Sequence, residues 1–187
     1  MKIVAFGHRR RVGKDTASKF LDTTLRIEAR HLKIKRVSFA AKLKDICTQM
    51  FGWAGLQEAQ YYEDHPEYRE VILPEIGKSP RDIWIEVGNK MREVYQNVWL
   101  DYAMRGIKAD VIIISDLRFT NEATRVRQLG GMLIKVTRSN VPVSDDASDS
   151  ALDNWTDWDR IINNSGELGL LNSEMDLLAQ TLISELA

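Results

Sequence analysis

The sequence predicts an α/β fold in which helices cover both faces of a parallel sheet of about five strands. Short apolar runs rich in β-branched residues have the composition of buried strands. Helical patterns separate these runs, and such alternation is typical of a parallel sheet. The chain of 187 residues is 44% hydrophobic and 28% charged, which suits one domain with a substantial core.

The predicted elements follow in chain order. We predict strands at 2–6, 35–39, 111–115, 132–137 and 160–163. We predict helices at 14–30, 40–51, 80–104, 121–129 and 173–186. Residues 53–78 fit no regular period, so we expect an insertion or a small helical subdomain there. Residues 139–158 are acidic and tryptophan-bearing, and we predict a lid-like segment there, within a single domain of residues 1–187.

Charge is distributed unevenly along the chain. Residues 1–44 contain 13 Lys and Arg and 3 Asp and Glu, whereas residues 139–187 contain 1 and 10, and the net charge of the whole chain is -1. A basic N-terminal third indicates an anionic ligand; mutual neutralisation of the two ends is the alternative. The near-neutral total excludes a generic polycation that coats nucleic acid.

The cysteine content and the lack of long apolar runs indicate where the protein works. The single cysteine, Cys47, excludes an internal disulfide framework and is typical of a reducing compartment. No apolar run reaches the roughly 18 residues of a membrane span, and the opening MKIVAFG lacks the features of a signal peptide. We expect a cytoplasmic protein with no membrane partner.

The strongest motif is GHRRRVGKDT, from Gly7 to Thr16. It follows an apolar strand and opens a helix, which is the setting of a phosphate-binding loop. In such a loop the backbone N–H groups turn inward and the helix N-terminus adds partial positive charge, so phosphates bind there. Lys14 would then reach the terminal phosphates of a nucleotide.

Two features of this motif depart from the usual phosphate loop. Five residues rather than four separate Gly7 and Gly13, and Asp15 stands where Ser or Thr normally contacts Mg²⁺. A plain glycine turn is therefore the alternative. The three consecutive arginines at 9–11 could clamp phosphates in a bidentate manner, and solvated loop charge is the competing interpretation.

A second motif is ISDLRFTNEA, at the end of the strand that begins at 111. Parallel α/β sheets bind ligands beyond the carboxyl ends of their strands. Asp116 is placed there to orient Mg²⁺, as a Walker-B acid does, and Arg118 is placed to bind a transferred or acceptor phosphate. The alternatives are that Asp116 caps the helix beginning near Asn121 or pairs with Arg118.

A third motif, KSPRDIW, begins a helix. Ser79 is a good N-cap and Pro80 suits the first helical position. Arg81 lies in the first turn, where a cation opposes the helix dipole, and this placement hints at an anion nearby. Arg92 falls on roughly the same helical face. A surface ion pair is the equally simple alternative for either arginine.

Together these motifs resemble the phage-type deoxynucleoside monophosphate kinases, which are P-loop kinases of the adenylate kinase type. The similarity covers ordered segments along nearly the whole chain, among them 7–18, 38–46, 78–94, 114–123, 130–138, 145–153 and 159–171. In that family Gly-Lys-Asp-Thr is itself a loop variant. This chain departs from the family at Gly88–Lys90, and at Asp146 and Asp149, where relatives often carry His and Glu.

The resemblance implies a P-loop kinase-like three-layer sandwich with an acceptor-binding insertion and a lid. It implies transfer of the ATP γ-phosphoryl group to a (deoxy)nucleoside monophosphate, with Lys14, Arg118 and Asp116 as catalytic residues. Asp15 and Asp116 would hold Mg²⁺, directly or through water, and Arg81, Arg92 and Arg118 would bind the acceptor. The residues implied for ATP are Gly7, Arg11, Gly13, Lys14, Asp15, Thr16 and Arg138.

Three other functions remain open from the sequence. One is a small-molecule P-loop kinase acting on dephospho-coenzyme A or phosphomevalonate, because acceptor choice would depend on residues 53–78. The others are a P-loop ATPase and a non-catalytic nucleotide-binding protein. The expected partners are small-molecule nucleotides, without stable nucleic-acid binding, and a homodimer is an open alternative. A phage-encoded protein of this type would work in the host cytoplasm.

Overall fold

Two units make up the molecule, which we describe from a computed structural model of residues 1–142 and 147–186. The sheet unit comprises Met1–Val37 and Gly106–Ala187, and the helical unit comprises Ser38–Arg105. Residues 143–146, which belong to the predicted lid-like segment, and Ala187 lie outside the described residues.

In the described part of the chain, five parallel strands form the sheet: β1 Lys2–Gly7, β2 Ile34–Val37, β3 Val111–Leu117, β4 Met132–Thr137 and β5 Arg160–Asn163. Their order across the sheet is β2-β3-β1-β4-β5. The central strand β1 lies between β3 and β4, and Gly7 at its end is in register with Leu117 of β3 and Lys135 of β4. The chain beyond Gly7 therefore leaves the sheet beside the ends of β3 and β4.

The helices of the sheet unit are α1 Lys14–Glu28, α6 Thr120–Gln128, α7 Ala147–Ser150 and α8 Leu168–Leu186. Alternate strand residues point to opposite faces of the sheet. On one face, Val4 and Ile113 belong to a buried cluster with Leu21 of α1 and Leu178 of α8. Helix α6 packs against β4 on the other face, where Ile3 is also buried.

Burial on both faces explains why these strands read as continuous apolar runs rather than as alternating patterns. The predicted fold class is therefore confirmed: the sheet unit is an α/β sandwich in which helices cover both faces of a five-stranded parallel sheet.

The helical unit has its own small core. Its elements are α2 Phe39–Phe51, α3 Ala59–Asp64, α4 Pro80–Val94 and α5 Val98–Met104, with 3-10 turns at Gly52–Ala54 and Pro66–Glu70. Tyr62 and Trp84 meet edge to face, with ring centroids 5.2 Å apart, in a cluster with Cys47, Leu56 and Ile83. The irregular stretch 53–78 thus contains one short helix and two 3-10 turns, as part of this larger unit.

One predicted helix is wrong. The pattern at 80–104 forms two helices, because α4 ends at Val94 and α5 begins at Val98. The buried Trp99 explains the break, since its indole N–H donates to the Gly88 carbonyl of α4 at 3.1 Å. The chain must fold back for Trp99 to reach α4, and a continuous helix cannot do so.

The remaining differences are the short helix α7, within the stretch predicted only as a lid-like segment, and shifts at element ends. Strand β2 begins and ends before the predicted 35–39, and α8 begins at Leu168 rather than at 173. Within the described part of the chain, no helix has the length and apolarity required to cross a membrane.

Candidate active site

The loop between β1 and α1 has an unusual backbone. Its left-handed residues are His8, with φ of 99°, Arg11, with φ of 60°, and Gly13, with φ of 101°. Left-handed backbone costs a non-glycine residue about 1–2 kcal/mol, so His8 and Arg11 hold strained positions in this longer loop. Strain of this kind is concentrated at functional sites.

The two glycines of the motif are fixed by neighbours distant in the chain. A Cβ on Gly13 would lie 2.2 Å from Nδ2 of Asn164, and a Cβ on Gly7 would lie 2.7 Å from the indole ring of Trp158. Nδ2 of Asn164 also donates to the Val12 carbonyl at 2.9 Å. Because Asn164 directly follows β5, it holds the loop from the same edge of the sheet. The sequence motifs did not single out this residue.

Lys14 is buried at the start of α1, with 6% of its surface exposed. Its ammonium donates to the His8 carbonyl at 2.9 Å and also to the Arg9 carbonyl. Burial and the nearby charge of Arg118 lower the pKa of Lys14 to about 7, while Asp116 and Asp149 oppose the shift. The ammonium is thus a desolvated group held inside the loop, where an anion would bind it strongly.

The end of β3 brings Asp116 and Arg118 close enough to Lys14 to influence its charge. Both side chains are half-buried. The juxtaposition follows from the sheet order, since β3 neighbours β1 and both strands end at the same edge. This arrangement of one carboxylate and two cations can bind a phosphate and, with it, a divalent cation.

Glu122 shapes the turn that follows β3. Its carboxylate is 2% exposed, and Oε2 accepts the backbone N–H groups of Arg118 at 3.0 Å and Phe119 at 3.1 Å. Glu122 therefore supplies a cap at the start of α6, which was one alternative role predicted for Asp116. The sequence contains half of a capping-box pattern, because Glu122 stands three residues after the N-cap position. The N-cap residue itself is Phe119, which is not a residue of that pattern.

Two carboxylates from residues 147–153 bind the loop. Asp149, 2% exposed, accepts the backbone N–H of Arg10 at 2.6 Å. Asp153 accepts Nε and Nη2 of Arg9 at 3.0 and 2.7 Å, and Nε2 of His8 lies 3.2 Å from it. The sequence placed both acids in an acidic segment but did not indicate that they contact the loop.

Asp15 is engaged by two cations. Its carboxylate pairs with Arg36 at 2.7 Å and with Lys19 at 2.9 Å. Burial raises the pKa of Asp15, but the hydrogen bonds and charges of Lys19 and Arg36 outweigh this effect and hold the pKa below its ordinary value. A metal ion would compete with these cations for Asp15. Thr16 follows, half-buried in the first turn of α1.

A cavity of about 370 Å³ lies beside the loop in the sheet unit. Arg138, which directly follows β4, lines this cavity. Arg11 of the loop is exposed and is not among the lining residues. The cavity's lining residues are His8, Arg9, Val12, Lys135, Thr137, Arg138, Val141 and Asp153. With two arginines and a lysine in its wall, the cavity favours an anionic or strongly polar ligand.

Two of the three arginines predicted to bind an acceptor, Arg81 and Arg92, lie in the helical unit. Ser79 and Asp82 form a capping box at the start of α4, and Arg81 in this turn donates to Glu70 at 2.9 Å. This ion pair is the alternative that the sequence left open for Arg81. Arg92 is half-buried further along α4, with Nη1 about 3.5 Å from where a Cβ on Gly88 would lie.

Comparison with known proteins supports the resemblance. No protein-family profile matches the chain. The chain is 28% identical over 161 residues, covering 75% of this chain and 76% of the relative, to a protein of Acanthamoeba polyphaga mimivirus named "Putative deoxynucleotide monophosphate kinase".

Two solved structures are also similar. The crystal structure of APE1195 has a TM-score of 0.49 at 9% identity, covering 100% of this chain and 97% of that one. Shikimate kinase from Aquifex aeolicus has a TM-score of 0.42 at 13% identity, covering 97% and 96%. The viral relative, by its sequence, confirms the resemblance predicted from the motifs: this chain is similar to a protein named as a deoxynucleotide monophosphate kinase.

Proposed function

We propose that the protein is an ATP-dependent kinase that transfers the γ-phosphoryl group to a deoxynucleoside monophosphate. The observation that carries the proposal is the buried ammonium of Lys14 in the loop after β1, within electrostatic reach of Asp116 and Arg118 at the end of β3. A loop of this kind supports nucleotide binding, and the name of the viral relative supports a monophosphate acceptor.

The donor side of the reaction is assigned to the loop. Backbone N–H groups and the ammonium of Lys14 would bind the phosphates of ATP, and the polyanion would restore full protonation of Lys14 by raising its pKa. Arg138 in the wall of the neighbouring cavity would contact the rest of the nucleotide. The full set assigned to ATP is Gly7, Arg11, Gly13, Lys14, Asp15, Thr16 and Arg138.

The acceptor phosphate is assigned to Arg118, which directly follows β3. A phosphate oxygen of the monophosphate attacks the γ-phosphorus while the bond to the β–γ bridging oxygen breaks, which yields ADP and a nucleoside diphosphate. This chemistry needs positioning and charge neutralisation rather than a covalent nucleophile. Lys14 and Arg118 supply positive charge where negative charge is transferred.

A magnesium ion accompanies ATP in such kinases and neutralises charge on the phosphates. The half-buried carboxylate of Asp116 fits this ion, because Mg²⁺ prefers oxygen ligands and keeps several waters. Asp15 fits it less well, since Arg36 and Lys19 already occupy its carboxylate. We assign the metal to Asp116 and, in exchange for those cations, to Asp15.

The experiment that tests the proposal measures ADP release with and without acceptors. The acceptors are the four common deoxynucleoside monophosphates, their ribonucleotide counterparts and dephospho-coenzyme A. We expect release that depends on a monophosphate, with equal amounts of ADP and nucleoside diphosphate. Release without acceptor would indicate an ATPase, and release only with dephospho-coenzyme A would indicate another small-molecule kinase. No release would refute the kinase.

A further inference from the structure

The carboxylate of Asp149 has an unusual partner. It is almost completely buried and accepts the backbone N–H of Arg10 at 2.6 Å. Arg10 lies in the middle of the loop between β1 and α1, and it is 139 positions from Asp149 in the chain. The contact is short for an N–H···O hydrogen bond, as charge-assisted bonds are.

A phosphate oxygen and a carboxylate oxygen are equivalent ligands for a backbone N–H group. Both are anionic acceptors, and one N–H donates strongly to one of them at a time. The carboxylate is also close enough to Lys14 to raise its pKa, so it acts on the two groups of the loop that a triphosphate would use. A polyanion entering the loop would meet this buried negative charge at short range.

A second acid, Asp153, also connects residues 147–153 to the loop, but it contacts a side chain instead of a backbone N–H group. Asp153 lies four residues after Asp149 and binds the side chain of Arg9 through two hydrogen bonds. Asp153 contacts the loop through the side chains of Arg9 and His8. A substitution of Asp153 therefore leaves the hydrogen bond between Asp149 and the Arg10 amide in place. Asp149 occupies a backbone donor, whereas Asp153 anchors the segment through a side chain.

We propose that Asp149 stands in the place of a substrate phosphate on the Arg10 amide, and that a nucleoside triphosphate binds by displacing it. Asp149 is therefore an internal competitor that sets the affinity of the loop for polyphosphates. This inference rests on the proposed function only in assigning the loop to ATP, because it requires polyphosphate binding and not phosphoryl transfer.

The test is equilibrium titration with ATP and magnesium, and separately with inorganic tripolyphosphate, on the whole protein. Asp149→Ala removes the competitor, and Asp149→Asn keeps the shape but removes the charge. Since the displaced bond is charge-assisted, we expect both variants to bind each probe at least about 10-fold more tightly than the wild type. Thermal unfolding establishes that each variant is folded, and Asp149→Asn decides the result if the alanine variant is not.

Two matched variants separate this effect from its alternatives. Asp157→Asn removes an acid of the same segment that pairs with Arg127 instead of the loop, and we expect unchanged affinity. Asp153→Asn loosens the anchor to Arg9 but leaves the Arg10 amide with Asp149, and we expect a smaller gain than from Asp149→Asn. An equal gain would show that release of the segment, and not the carboxylate on the amide, sets the affinity, and would overturn the inference.

The possible results also distinguish this inference from the proposed function. Tighter tripolyphosphate binding by Asp149→Asn in a protein that transfers no phosphoryl group would support the internal competitor and refute the kinase. Transfer by the wild type, with equal or weaker binding by both Asp149 variants, would refute the competitor and leave the kinase. Failure of all the proteins to bind either probe would refute both.

Discussion

The lowered pKa of Lys14 predicts that ATP binding weakens as pH rises above neutrality. Lysine has an ordinary pKa of 10.5, and burial lowers that of Lys14 to about 7. Above this value the side chain is neutral before ATP binds. A bound triphosphate favours the charged form, so binding above neutral pH must take up a proton.

The magnitude follows from the protonated fraction of Lys14. With a pKa of about 7, roughly nine-tenths of the side chain is charged at about pH 6 and roughly one-hundredth at about pH 9. If the bound complex keeps the charge throughout this range, the dissociation constant for ATP rises about 100-fold between these two pH values. In Lys14→Arg the guanidinium stays charged over the same pH range. The dissociation constant of this variant for ATP therefore changes with pH only through the ionisation of the nucleotide and of other groups.

The assay is calorimetric titration of magnesium-ATP into both proteins across this pH range. The quantity of interest is the ratio of the two dissociation constants, because the ionisation of ATP itself affects both proteins equally. We expect the ratio to change by about 100-fold, and we expect the wild type to take up close to one proton on binding at about pH 8, measured in buffers of different ionisation enthalpy. A constant ratio, with no proton uptake, would refute the role of Lys14 as a buried ligand of phosphate.

Three further variants test other parts of the site. Arg118→Ala is expected to raise the KM for the monophosphate at least about 10-fold while leaving the Kd of ATP nearly unchanged, and a loss confined to ATP affinity would contradict its acceptor role. Gly13→Ala forces a left-handed alanine against Asn164, so we expect a stability loss of about 2 kcal/mol in chemical denaturation. The control is Gly169→Ala, whose added Cβ meets nothing within 4 Å, and we expect no loss of stability from it. Glu122→Ala removes the acceptor of two part-buried backbone N–H groups, and we expect a stability loss of about 2 kcal/mol; unchanged stability would show that this carboxylate does not hold the turn.

The part of the site that the sequence predicts is the part encoded by local pattern. An apolar strand followed by glycines and Lys14 indicates a phosphate loop, and Asp116 and Arg118 follow a strand whose end must lie at the binding edge of a parallel sheet. The strand order β2-β3-β1-β4-β5 then brings these residues together. Their roles in binding and catalysis stay predictions that the assays above would test.

The residues that the sequence did not reveal reach the loop from far along the chain. Asn164 and Asp149 contact the loop from 152 and 139 positions away, and neither periodicity nor spacing carries that information. The break between α4 and α5 was hidden for a related reason, because the helical pattern is local while the burial of Trp99 against Gly88 is tertiary. Asp15 likewise has a local signal for metal binding, but the distant Arg36 engages its carboxylate.

Every role proposed for this site depends on the loop from Gly7 to Lys14 binding the phosphates of ATP, and a crystal structure with magnesium and a non-hydrolysable ATP analogue would show whether it does. We expect phosphate oxygens within about 3 Å of the Arg10 amide and of Nζ of Lys14, with Asp149 displaced from the amide. A nucleotide bound elsewhere, with Lys14 still on the carbonyls of His8 and Arg9 and Asp149 still on the amide of Arg10, would contradict it.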